Sequence, residues 1–102
     1  MSAFDAINAA SIQRALAAGW PELSGSDAQV AWSFTVREEK MREFEAAAVR
    51  DPETRARYRE VLLRETSAAA WLDNRDHPWQ VMWWCNVTAD ERTILLDPAD
   101  GQ

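Results

Sequence analysis

Cys85, His77 and Tyr58 are each the one residue of their type in a chain of 102, so covalent or acid-base chemistry has to be built from them or from the carboxylates. A thiol and an imidazole within reach of each other make a nucleophile, provided the thiol sits in a polar, accessible setting. Cys85 falls on the inward face of an expected strand, where a thiol behaves as a small apolar group. His77 lies between Asp76 and Pro78 in a polar loop and reads as a turn residue or a cap. As one arm of a metal site in a helical bundle it would need paired Glu-x-x-His motifs, which the chain lacks. There is no Gly-rich phosphate loop, no nucleophile elbow and no Cys or His pair at zinc spacing. Catalytic, metal and cofactor residues are therefore expected to be none, and the protein is read as not an enzyme.

The carboxylates are the more abundant resource. Glu38, Glu39, Glu43 and Glu45 crowd one expected helix. Several acids have an arginine four positions on, as in Glu38 with Arg42, Glu53 with Arg57 and Glu60 with Arg64, which is the spacing of a solvated, pair-laced face. Glu39 and Glu43 are like charges four apart without such a partner, so they are the acids expected to meet an outside cation. The net charge is -6. Lys40 is the only lysine, and the arginines are interleaved with acids, which argues against direct binding to nucleic acid or to an anionic membrane.

Tryptophan carries the contact energy. Six occur in the chain, three of them in the run from Trp79 to Val87. Each brings about 150 to 250 Å² of area, which places such residues in cores and at the centres of interfaces. Trp79, Val81, Trp83, Cys85 and Val87 alternate with Gln80, Met82, Trp84, Asn86 and Thr88, a strand pattern with one fully apolar face. The segment 92–97 can return as its partner across a turn at 88–91, with Pro98 ending the ladder. In that register Cys85 opposes Ile94 and Trp83 opposes Leu96 on the core face, while Trp84 opposes Leu95 outside. Met82, Trp84 and Leu95 would then form an open apolar patch of the kind that marks an interface. The alternative is two short helices, because Thr88 to Glu91 is also a capping box and Trp79, Met82, Trp83 and Val87 sit at helical spacing.

Three helices are expected to carry this hairpin. The first runs from Phe4 to Ala18 and stops at Gly19, with Pro21 just beyond. The second opens on the capping box Ser26 to Gln29 and runs to about Arg50, with an inward stripe of Val30, Phe34, Met41, Phe44 and Ala48. Asp51-Pro52 opens the third, which extends to Leu72 with Tyr58, Val61, Leu62, Ala68, Ala69 and Leu72 inward. Folding the last two antiparallel about Asp51 pairs Phe44 with Tyr58 and Met41 with Val61. It also brings Arg37 to Glu65 as a salt bridge that fixes the register; the alternative is that both snorkel outward. Trp32 and Val36 lie off the stripe, and the first helix is expected to cover them, with an exposed anchor as the alternative.

The resulting fold class is α+β: three helices, helices 2 and 3 an antiparallel hairpin, and a C-terminal two-stranded β-hairpin in a single domain over 1–102, with an all-α fold as the alternative. No apolar run approaches the length of a membrane span, no secretion signal opens the chain, and a lone cysteine suits a reducing compartment, so a cytoplasmic protein is expected. The function expected is a non-enzymatic protein-protein interaction module, or small accessory subunit, of a bacterial or phage system. It would bind a protein partner or a second copy through Met82, Trp84 and Leu95. One alternative is an acidic phage-type inhibitor that occupies a cationic groove of a nucleic-acid enzyme through Glu39 and Glu43. Another is a small-ligand-binding domain built among the tryptophans.

Overall fold

The structure is a computed structural model that describes residues 3–47 and 51–96. Among the described residues it is all-α, with six helices: α1 (Ala3–Ala18), α2 (Asp27–Ala46), α3 (Pro52–Leu63), α4 (Ala68–Asp73), α5 (Trp79–Asn86) and α6 (Ala89–Leu96). The expected α+β class is thereby corrected, and the two-helix alternative for the C-terminal run is what the chain adopts. The second helix stops at Ala46, with Ala47 extended as its C-cap, short of the expected end at about Arg50; Ala48, expected in its stripe, and the tail from Asp97 through Pro98 lie outside the described residues.

Local signals explain most boundaries. Gly19 closes α1 at φ +74°, a left-handed conformation that costs glycine little. Ser26 and Gln29 satisfy each other's backbone amides at 3.2 and 3.1 Å, so the capping box opens α2 as its spacing requires. Asp51 accepts from the Thr54 amide at 2.7 Å, and Pro52 follows at the first helical position. At the C-terminal end Thr88 Oγ1 accepts from the Glu91 amide while the Glu91 carboxylate accepts from the Thr88 amide. That reciprocal cap starts α6 where a β-turn was expected. In α5 the buried residues are Trp79, Met82 and Trp83, the i, i+3, i+4 set of a helix rather than the i, i+2 set of a strand.

The expected third helix is broken in two. Loop 21–25 intrudes on it: Ser24 donates its amide to the Thr66 carbonyl at 2.7 Å and accepts from the Ala68 amide at 2.8 Å. Ser67 then caps α4 by accepting from the Ala70 amide, and the Glu65 side chain accepts from the Ser67 amide at 3.1 Å. The break shifts the helical phase. Ala68 is fully buried as expected, but its fully buried companion in α4 is Trp71 rather than Ala69 or Leu72, and the Trp71 indole donates to the Glu65 carbonyl at 2.9 Å.

The same break removes the expected bridge between Arg37 and Glu65. Arg37 is 0% exposed; its Nη1 donates to the Pro21 carbonyl at 2.8 Å, and its guanidinium lies 5.2 Å from the Trp20 ring centre and 5.0 Å from that of Phe34. Burial without a carboxylate pushes its pKa down, to about 10. Arg37 therefore pins the 20–25 loop to α2 through a carbonyl and two aromatic faces.

The core runs along α2. Phe44, Tyr58, Trp79 and Trp83 form one aromatic cluster, with Phe44 edge-on to Trp79 at 5.0 Å and Tyr58 stacked on Trp83 at 4.7 Å. Phe44 and Tyr58 also stack at 6.5 Å, as their equal distance from Asp51 requires. α1 docks differently. Asn8 and Ser11 are buried, and Thr35 Oγ1 donates to Asn8 Oδ1 at 2.8 Å and lies 3.1 Å from Ser11 Oγ. Arg14 clamps Glu38 with two bonds of 2.6 and 2.7 Å. This polar seat holds α1 against the Thr35 and Glu38 row of α2, so it does not seal Trp32 as expected, although Val36 is buried.

Candidate binding groove

At 100° per residue, the rows of α2 divide by direction. Phe34, Arg37, Met41 and Phe44 face the core, and Thr35 and Glu38 face α1. Ala28, Trp32, Val36 and Glu39 form a further row. The turn after α4 stands across from that row, and between them is a cleft of about 530 Å³ lined by Ala28, Gln29, Trp32, Thr35, Val36, Glu39, Leu72, Arg75 and Asp76. Its floor is apolar, from Trp32, Val36, Leu72 and Ala28. Trp32 is 41% exposed there.

The far wall exists because the expected third helix breaks. The short α4 ends at Asp73, and the backbone turns through Asn74, whose Nδ2 donates to the Ala70 carbonyl at 2.8 Å and whose Oδ1 accepts from His77 Nδ1, also 2.8 Å away. Arg75 Nη1 donates to the Leu72 carbonyl at 3.0 Å, so Arg75 closes the end of α4 and Asp76 follows it on the rim. A helix running straight on from Pro52 would have no such turn to oppose α2.

The residues expected to bind a partner are placed unevenly. Met82 is 1% exposed and belongs to the core, because a helix turns residues two apart to nearly opposite sides. Leu95 is half-buried against that core. Trp84 does remain outside, 51% exposed, but the Trp83 ring meets it edge-on at 5.2 Å and the Arg92 guanidinium lies 5.6 Å from its centre. The three therefore form no shared patch. Glu43 is paired to Lys40 Nζ at 3.1 Å, a partner three positions away that the four-residue spacing rule passed over. Glu39 is exposed and lines the groove, so of the expected binding residues it is the one found at this site.

Cys85 is exposed on α5, which corrects its expected inward placement and removes burial as the reason against a thiol nucleophile; His77 Nδ1 is engaged with Asn74 Oδ1. Among the described residues no three His, Cys, Asp or Glu are grouped so as to hold a metal ion, and no helix is long and apolar enough to cross a membrane. The strongly perturbed carboxylates lie elsewhere and are structural. Arg14 holds Glu38 below the usual carboxylate range. The Arg64 guanidinium, with the Thr88 amide, lowers Glu91 to about 2.

No protein-family model matches the chain, and neither the curated proteins nor the solved structures provide a match.

Proposed function

We propose that this chain is a non-enzymatic, cytoplasmic protein-interaction module that receives a segment of a protein partner in the groove floored by Trp32. The observation that carries this reading is the half-exposed tryptophan on an apolar floor between α2 and the turn after α4. Aromatic side chains in such settings supply most of the energy of an interface. The groove replaces the expected Trp84 surface, since Met82 is withdrawn into the core and Arg92 occupies part of the Trp84 ring.

The test is affinity capture from the native host with wild type, Trp32→Ala and Trp84→Ala. Truncating a central aromatic anchor costs about 2 kcal/mol or more, roughly thirtyfold in Kd. Trp32→Ala is expected to release the partner, and Trp84→Ala to retain it. Equal retention by both variants, or loss only with Trp84→Ala, contradicts the reading. Recovery of a small metabolite in place of a protein would turn it to the ligand-binding alternative, for which the volume is also adequate.

A further inference from the structure

We infer that α1 is a releasable cover on α2: it leaves as one unit by turning about Gly19, while the aromatic core stays folded. The inference stands apart from whatever the groove receives. The make-up of the seat is the first argument. Among the described side chains of α1, those buried against the fold are Asn8, Ser11 and Ala15, with Ile12 partly buried, whereas its large apolar residues Ile7 and Leu16 are 47% and 60% exposed. Polar contacts hold the helix instead. Thr35 Oγ1 reaches Asn8 and Ser11, Arg14 makes its two bonds to Glu38, and Ser11 Oγ lies 3.5 Å from the same carboxylate. Water can replace each of these partners when the helix leaves, so they add less net stability than buried Leu, Phe or Trp side chains do. A helix of 16 residues gains little from its backbone alone. It therefore opens at a smaller free energy than the cluster of Phe44, Tyr58, Trp79 and Trp83.

The way α1 is connected is the second argument. Among the described elements, α2 is the one that α1 packs on extensively. The chain that follows is fastened separately, by Arg37 on the Pro21 carbonyl and by Ser24 on Thr66 and Ala68. Gly19 lies between the helix and these anchors, at φ +74° and with nothing within 4 Å of where a Cβ would stand. Turning there gives up the bonds from the Gly19 amide to the Leu16 carbonyl and from the Trp20 amide to the Ala15 carbonyl, but it leaves the loop 20–25 in place. Thr35 belongs both to the seat and to the groove lining. Release of α1 therefore bares the Thr35 and Glu38 row and widens the groove on that side.

The experiment is thiol labelling of the folded full-length chain with dithionitrobenzoate, with the exposed Cys85 replaced by Ser. Ser11→Cys puts a thiol in the seat and Ser33→Cys puts one in α2 itself; both positions are fully buried, and both changes nearly conserve side-chain size. Relative to the unfolded chain, Ser11→Cys is expected to react at least about tenfold faster than Ser33→Cys. Arg14→Gln, at an exposed side chain, should speed the reaction of Ser11→Cys about fivefold and leave that of Ser33→Cys unchanged. Native-state hydrogen exchange reads the same opening without a new thiol: the α1 amides should exchange together, at least about tenfold faster than those at the centre of α2. Equal reaction at the two positions, or α1 amides as protected as those of α2, would overturn the inference. So would an Arg14→Gln effect of the same size at both thiols, because α1 would then open only when the whole chain unfolds.

Discussion

Two residues show how closely backbone and packing are matched around the loop that splits the third helix. Gly25 has φ +152°, and a Cβ there would come within 3.1 Å of both the Ala68 Cβ and the Gln29 Oε1 of the capping box. Gly19 also has positive φ, but a Cβ would meet nothing within 4 Å. Gly25→Ala is therefore expected to lower stability by about 1 to 3 kcal/mol through backbone strain, with contact added, and Gly19→Ala by less. Urea midpoints order the two; a Gly19 variant that is the weaker contradicts the assignment. The buried tryptophans offer a second contrast. The Trp71 indole is bonded to the Glu65 carbonyl, whereas the Trp83 indole has no partner among the described residues. Trp71→Phe leaves a carbonyl unpaired at a cost of about 1 to 3 kcal/mol that Trp83→Phe does not incur. Calorimetric unfolding of the two variants should show Trp71→Phe melting first, and equal melting would mean that the Trp71 bond contributes nothing.

Helix ends rest on pairs whose protonation sets their strength. Arg64 caps α3 and joins it to the α5–α6 junction by donating to both Glu91 carboxylate oxygens and to the Asn86 carbonyl at 3.3 Å, while Arg14 on Glu38 seats α1. Both carboxylates titrate lower in the fold than in the unfolded chain, so their contribution is complete above the ordinary value of 4.5. For Glu91 it is lost as pH falls from there through about 2. The stability of wild type is therefore expected to fall over that interval, and that of Glu38→Gln/Glu91→Gln to fall less. Urea titrations at neutral pH and at about pH 3 read the difference; parallel losses would contradict it. The legible elements were those with a local cap: the end of α1 at Gly19, the Ser26 box, and Asp51-Pro52. The run from Trp79 to Val87 was not legible by periodicity, because its bulky apolar residues are dense enough to satisfy a strand and a helix alike. The deciding signal was the reciprocal cap at Thr88 and Glu91, which only a helix uses. The break at 64–67 had only half of such a mark: Ser67 caps α4 at the Ala70 amide, but Ala70 has no polar side chain to complete the box as Gln29 and Glu91 do. It depends on Ser24, more than forty positions away, and with it went the Arg37–Glu65 register and the correct phase for Trp71.

At the scale of the molecule, that break is what gives a helical hairpin its groove. The fold measures 53 × 23 × 21 Å, a long shape in which α2 is flanked by α1 on one side and α4 on another, leaving the Trp32 row between them. Trp32 and Glu39 were visible in the sequence, one as a residue off the main stripe and the other as an acid without a spaced partner. Their common groove was not, because its opposing wall of Leu72, Arg75 and Asp76 exists only after α4 separates and turns. The most direct test of this account follows the six indole N–H signals by 1H–15N NMR as the captured partner segment is added, with Trp32 and Trp84 assigned through Trp32→Phe and Trp84→Phe. If the segment enters the groove, the Trp32 signal moves in proportion to occupancy while the Trp84 signal stays in place. A shifted Trp84 beside an unmoved Trp32 would contradict this account.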